Sequence, residues 1–255
     1  MVEYKTVIIM PGRKATKENM DALYSLYRWA SQFVRGKDVL EVACGAGQGL
    51  GYLAKKAKKI IAGDIDQEIV KCAKDYYKDR IDIFQIDAHN LPFEKDSFDV
   101  VILFEAIFYL KNPEEFLKEC QRLLRKKGLL LLSTTNKDWP GFNPSPFSFK
   151  YFSVAELTGL LKKYNFKTQA FGAFKDKTDS FNARTLFLIR RVAIKLRLIP
   201  KTMKGKEWIK RIFFGRLFII PNEVREGMAE YNQPLAVRSD SSNYQYKTLY
   251  FVAKK

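Results

Sequence analysis

The chain has 255 residues, 47% of them hydrophobic, and a net charge of +17; it is long enough for one large packed domain, or one with an insertion, and its composition excludes disorder. The positive balance favours anionic partners, or else marks a lysine-rich surface that keeps the protein soluble. Cys44, Cys72 and Cys120 are dispersed and His89 is the single histidine, so no metal site is expected and a cytoplasmic setting fits; no leader pattern opens the chain and no apolar run approaches the ~18 residues of a membrane span.

A short apolar piece at 7–10 ends at Pro11-Gly12, and Met20, Leu23, Tyr24, Tyr27 and Phe33 recur at three- and four-residue steps, which predicts a helix over 17–34. The stretch DVLEVACGAGQGLGYLA at 38–54 reads as a strand, a glycine turn and a helix. Glycines let the backbone approach a bulky group and turn free N–H groups toward it; a tight connection without a ligand uses the same residues. Glu41 lies inside the strand, where a buried acid needs a facing donor. A second apolar run ends in Asp64, at the strand tip where an acid meets the ribose hydroxyls of a bound nucleotide. Asp66 is the N-cap of the next helix. The dinucleotide pattern G-x-G-x-x-G fails from Gly45, because Leu50 stands at its last glycine.

From 37 to 135 strands (38–43, 59–64, 81–86, 98–104, 128–135) alternate with helices (48–58, 66–78, 113–125), the pattern of a doubly wound parallel sheet with its ligand at the carboxyl ends of the strands. The ordered pieces VLEVACGAGQG at 39–49, IIAGDID at 60–66, QIDAHNLPFEKDSFDVVILFEAI at 85–107 and FLKECQRLLRKKGLLLL at 116–132 resemble the class I S-adenosylmethionine-dependent methyltransferase family. The resemblance implies a Rossmann-like α/β fold with a mostly parallel seven-stranded sheet, and S-adenosylmethionine bound by Glu41, Ala43, Gly45, Gly47, Asp64, Ile65, Asp87, Ala88 and Glu105. It also implies that Asp87 accepts from the adenine amino group, that the Ala88 N–H pairs a ring nitrogen, and that Ile65 packs on the adenine face. Ala43 departs from the family's usual glycine, a change expected to touch local packing alone. The family's N-terminal region commonly covers the cofactor pocket; a helix that closes the sheet edge is the alternative. His89 is expected to be a loop histidine.

Relatives often carry His-His where this chain has Phe108-Tyr109, so Glu105 is the acid nearest the expected methyl group, to hold the methionine amino group, orient the substrate or take its proton. The loop after the fifth strand, 136–149, is rich in proline, aromatics and amides, and Asn136, Trp139, Asn143 and Phe147 are its candidate acceptor contacts. Its Asn143-Pro144-Ser145-Pro146-Phe147 resembles a nucleic-acid amino-methyltransferase signature only superficially, since a serine interrupts it and it follows the wrong strand.

A helix at 153–164 with a Ser153/Glu156 capping box leads to a strand at 166–174, and the last strand is expected at 246–253. The separation is far longer than a hairpin needs. The chain therefore divides into an N-terminal helical cover (1–36), a cofactor-binding core (37–174), a basic inserted cap (175–244) and the last core strand (245–255). In the cap, Arg190, Arg191, Lys195, Arg197, Lys201, Lys204, Lys206, Lys210, Arg211 and Arg216 interleave with apolar residues and face Glu207 alone, a pattern for anionic lipid, phosphates, an acidic substrate, or a solvated helix packed on the core. Direct in-line methyl transfer to a small-molecule or glycan-like acceptor is the first expectation, with an RNA methyltransferase or a membrane-peripheral non-enzymatic protein as alternatives.

Overall fold

The computed structural model describes residues 10–176 and 216–255. In chain order its elements are β1 (Lys14–Ala15), α1 (Lys17–Ala30), β2 (Asp38–Val42), α2 (Leu50–Ala54), β3 (Lys59–Asp64), α3 (Gln67–Tyr77), β4 (Asp82–Gln85), β5 (Phe98–Phe104), α4 (Pro113–Leu123), β6 (Leu124–Thr135), α5 (Val154–Lys163), β7 (Lys167–Lys175), β8 (Phe218–Ile219), β9 (Leu235–Val237) and β10 (Tyr246–Lys254). The main sheet runs β4-β3-β2-β5-β6-β10-β7-β9. Strands β2 to β6 are parallel, whereas β10 lies antiparallel between β6 and β7. Among the described residues the sheet thus has eight strands where seven were expected, because β9 adds an antiparallel edge beside β7.

The chain winds outward from β2 through β3 to β4, then crosses back to β5 and β6 on the other side. At such a reversal, here the carboxyl ends of β2 and β5, open α/β sheets bind their ligands. Side chains alternate across the strands. Leu40, Val42, Val101, Leu103, Leu130 and Leu132 pack with Phe116, Leu117, Leu157 and Leu161 of α4 and α5. Val39, Val100, Ile102 and Leu131 pack with Tyr24, Tyr27, Leu50, Leu53, Val70 and Ala73 of α1 to α3. Glu41 shares the parity of Val39, so it faces the α1 layer.

Helix ends follow local chemistry. Thr16 caps α1, Asp66 accepts from the Glu68 and Ile69 N–H groups, and Ser153 and Glu156 form the reciprocal capping box. Strand β6 begins at Leu124, earlier than expected: Lys126-Lys127-Gly128 is absorbed as an irregularity, with Lys127 at φ 66° and the pairing slipping between Phe98–Leu124 and Val100–Leu129.

The described residues of the expected cap dock on the core. Gly12 and Arg13 exchange backbone hydrogen bonds with Ile220, the Val224 N–H donates to the Gln48 carbonyl, and Gly227, Glu230 and Asn232 donate their N–H groups to Tyr24, Asp21 and Ser25 of α1. Residues 218–232 therefore form a strap over α1 and the glycine turn. The basic run 190–216 lies outside the described residues except for Arg216, whose guanidinium stands over the Phe218 ring. No helix among the described residues is long and apolar enough to cross a membrane.

Candidate functional site

The glycine turn enters the left-handed region three times, at Ala43 (φ 55°), Gly45 (φ 56°) and Gly47 (φ 79°). At Ala43 this corrects the sequence expectation: alanine there carries a backbone cost of roughly 1–2 kcal/mol, beyond any packing effect. Tyr77 pins the turn, its hydroxyl donating to the Gly47 carbonyl (2.7 Å) and accepting from the Gly51 N–H (3.1 Å). Gly49 and Gly51 make room for protein: a Cβ at Gly49 would lie 1.8 Å from the Tyr27 ring, and one at Gly51 2.2 Å from the Glu223 carboxyl carbon.

Glu41 is buried, and its Oε1 accepts from the Tyr27 hydroxyl of α1 at 2.7 Å while Oε2 has no partner. Burial pushes its carboxyl up to about 7, the Tyr27 hydrogen bond opposing only part of the rise. Asp64 ends β3 beside it, with Oδ2 accepting from the Gly45 N–H (2.9 Å) and Oδ1 from the Asp66 N–H (3.0 Å). Desolvation raises its carboxyl and those backbone donors hold the rise down. Ile65 follows with its side chain half in solvent (51% exposed). Beyond β4, Asp87 is exposed and its Oδ1 accepts from both the His89 N–H (2.9 Å) and the His89 ring (2.7 Å); Ala88 is buried.

Glu105 leaves β5 at φ 48°, a left-handed non-glycine residue at a strand tip. Its N–H reaches Ser133, its Oε2 accepts from the Thr135 hydroxyl (3.0 Å), and its Oε1 is buried without a partner. Burial raises this carboxyl too, and hydrogen bonding, that from the Thr135 hydroxyl included, opposes the rise. The next turn carries Phe108, which stacks on Tyr151 (ring centroids 4.3 Å apart), and Phe142 meets Tyr151 edge-on at 4.7 Å. The Tyr109 hydroxyl donates to Ser145 (3.0 Å), and the Phe149 N–H to the Phe108 carbonyl (2.8 Å). The loop 136–149 is thereby fastened beside Glu105.

Not every candidate in that loop faces outward. Asn136 is fully buried, its amide donating to the Asn243 and Tyr246 carbonyls and accepting from the Asp138 N–H, so it anchors the loop to β10 and leaves the acceptor set. Trp139 donates its indole N–H to Asp176 (2.7 Å), with Lys247 over its ring. Asn143 is exposed and Phe147 half-buried.

Tyr27, Ser133 and Thr135 were not foreseen as partners of Glu41 and Glu105. Glu41 inside a strand signalled that a donor must face it, but Tyr27 read only as one apolar step of a helix. Acidic acceptors at the ends of β3 and β4 and an apolar plate at Ile65 line the carboxyl ends of the strands, where Glu41 and Glu105 each hold one buried carboxylate oxygen without a partner. This arrangement suits a cationic ligand that also carries hydroxyls and a flat ring.

Residues 40–132 match the family model described as a methyltransferase domain. A probable S-adenosylmethionine-dependent methyltransferase of Mycobacterium tuberculosis is 37% identical over 129 residues, 49% of this chain and 47% of that protein. The phthiotriol/phenolphthiotriol dimycocerosates methyltransferase of the same organism is 38% identical over 123 residues, 47% of this chain and 46% of that protein. The chain thus spans about half the length of these relatives. Among solved structures, a possible histamine N-methyltransferase from Thermotoga maritima covers 94% of this chain and 91% of its own, with a TM-score of 0.61 at 16% identity, a likeness of fold.

Proposed function

We propose, on the premise that its 40–132 segment places the chain in the class I S-adenosylmethionine-dependent methyltransferase family, that it methylates a small-molecule or glycan-like acceptor. The observation that carries this reading is the pair of acids flanking the sheet's reversal point, Glu41 and Glu105, each with one buried carboxylate oxygen that lacks a partner. An unmet buried acceptor costs stability, and a cationic or hydroxyl-bearing ligand relieves that cost.

In this reading Glu41 and the Gly45–Gly47 turn face the methionine end, Asp64 takes the ribose hydroxyls, Ile65 covers one adenine face, and Asp87 with the Ala88 N–H reads the adenine edge. S-adenosylmethionine supplies a methyl group already activated by its positive sulfur. What remains for the chain is alignment and the exclusion of water. For an oxygen acceptor, Glu105 accepts the hydroxyl proton: its raised carboxyl makes the carboxylate a stronger base, Thr135 fixes one oxygen, and the other is left for the acceptor. The ring wall of Phe108, Tyr151 and Phe142 offers an apolar surface to a sugar or other ring face. A hydroxylated lipid is the second reading, favoured by the relative that bears phthiotriol dimycocerosates in its name.

The test is incubation with S-adenosylmethionine labelled in the methyl group and cell extract, followed by fractionation. Label in a small polar or glycan product, strongly reduced with Glu105→Gln, is expected. Label in the lipid fraction selects the second reading, and label confined to RNA, or no labelled product at all, contradicts both.

A further inference from the structure

His89 was expected to be an ordinary loop residue, yet its surroundings constrain it closely. Its Nδ1 lies 2.7 Å from Asp87 Oδ1, and its Nε2 lies 3.4 Å from the backbone nitrogen of Asn112, the residue before α4. A carboxylate only accepts and a backbone N–H only donates, so the two contacts together select one neutral tautomer, with the proton on Nδ1 and the lone pair on Nε2. The imidazole is a fixed bridge: it donates to Asp87 on one side and is oriented by α4 on the other. The His89 N–H adds a second bond, 2.9 Å, to the same Asp87 oxygen. Both bonds fall on Oδ1, which restricts the rotation of the carboxyl group and leaves Oδ2 out of both.

We propose that His89 is a positioning residue for nucleobase recognition: it holds the Asp87 carboxylate so that Oδ2 meets the exocyclic amino group of the adenine ring. This rests on the reading of Asp87 as the adenine acceptor. His89 touches no ligand in this scheme. It acts by removing the torsional freedom of an exposed aspartate, so that the ordering cost is met by the protein before binding. Its contribution is therefore confined to ligands that carry the amino group.

The experiment is calorimetric titration of the full chain with two probes: S-adenosylhomocysteine and its analogue with an unsubstituted purine, which lacks the 6-amino group. For His89→Ala, affinity for S-adenosylhomocysteine is expected to fall about fivefold, the size of one hydrogen bond's net contribution, while affinity for the deamino analogue stays at the wild-type value. His89→Asn, whose amide places a donor where Nδ1 stood, is expected to restore most of the loss. Asp87→Asn is the control on the underlying reading and is expected to weaken S-adenosylhomocysteine at least as much. Equal losses for both probes in His89→Ala assign the histidine a structural role and overturn the proposal. Unchanged binding in His89→Ala beside weakened binding in Asp87→Asn overturns it while leaving the Asp87 reading intact. Unchanged binding in Asp87→Asn removes the reading and the proposal with it.

Discussion

Replacing Glu41 by glutamine tests the electrostatics of the crevice. In the wild type the acid is about 1% exposed, with one hydrogen bond from Tyr27 and one oxygen unpartnered. Its carboxyl rises from the ordinary 4.5 to about 7. For an acid whose folded value lies above its unfolded one, the associated stability is fully present below the unfolded value and is lost as pH rises through the folded one. At about 1.4 kcal/mol per pH unit, the loss across the whole window is about 3 kcal/mol, of which about 2.5 kcal/mol falls between pH 5 and pH 8. Glutamine keeps a carbonyl for the Tyr27 hydroxyl and cannot ionise. The variant's stability relative to wild type should therefore improve by about 2.5 kcal/mol between those pH values, whatever constant offset its amide brings. Urea unfolding followed by tryptophan fluorescence at both pH values measures this difference. An offset that stays constant with pH refutes the reasoning, because Glu41 would then ionise in the folded protein as it does in the unfolded one.

Other perturbations address separate parts of the site. Ala43→Gly removes the left-handed alanine at φ 55°; the relief exceeds the added unfolded-state entropy, so the urea midpoint should rise by the equivalent of about 0.5–1 kcal/mol. Gly49→Ala drives a Cβ to 1.8 Å from the buried Tyr27 ring and should cost about 1–3 kcal/mol, a penalty that shrinks in a Tyr27→Ala background when the double-mutant cycle is measured by thermal unfolding. Asp64→Ala removes the acceptor of the Gly45 and Asp66 N–H groups; calorimetric affinity for S-adenosylhomocysteine should fall at least tenfold, and undiminished affinity would place the ribose elsewhere.

Much of the fold was legible because its strongest signals are local. The apolar runs that became β2, β3, β5 and β6 are bounded by turn chemistry, and the last strand was expected at 246–253, close to where β10 lies. Strand β9 carried no such signal: Leu235-Ala236-Val237 is three residues long, with two of them exposed, and it pairs only because β7 offers a free edge. The docking of 218–232 was hidden for a similar reason, since the bonds that join Val224, Glu226 and Glu230 to the glycine turn, α1 and α2 link residues remote in sequence. Site acids were visible as residue types at strand tips. Their partners were not, because Tyr27 and Thr135 reach Glu41 and Glu105 only once the sheet and α1 are assembled. Asn136 misled because an amide in a loop looks available until its burial is known.

The central claim is that an adenosyl ligand lies across the carboxyl ends of β2 to β5, and a crystal structure of the chain with S-adenosylhomocysteine tests it most directly. Ligand density is expected over Ile65, with the ribose on Asp64, the adenine edge at Asp87 and Ala88, and the homocysteine end beside Glu41 and Gly45. Density elsewhere on the molecule, or a crevice filled by side chains at saturating ligand, would contradict it.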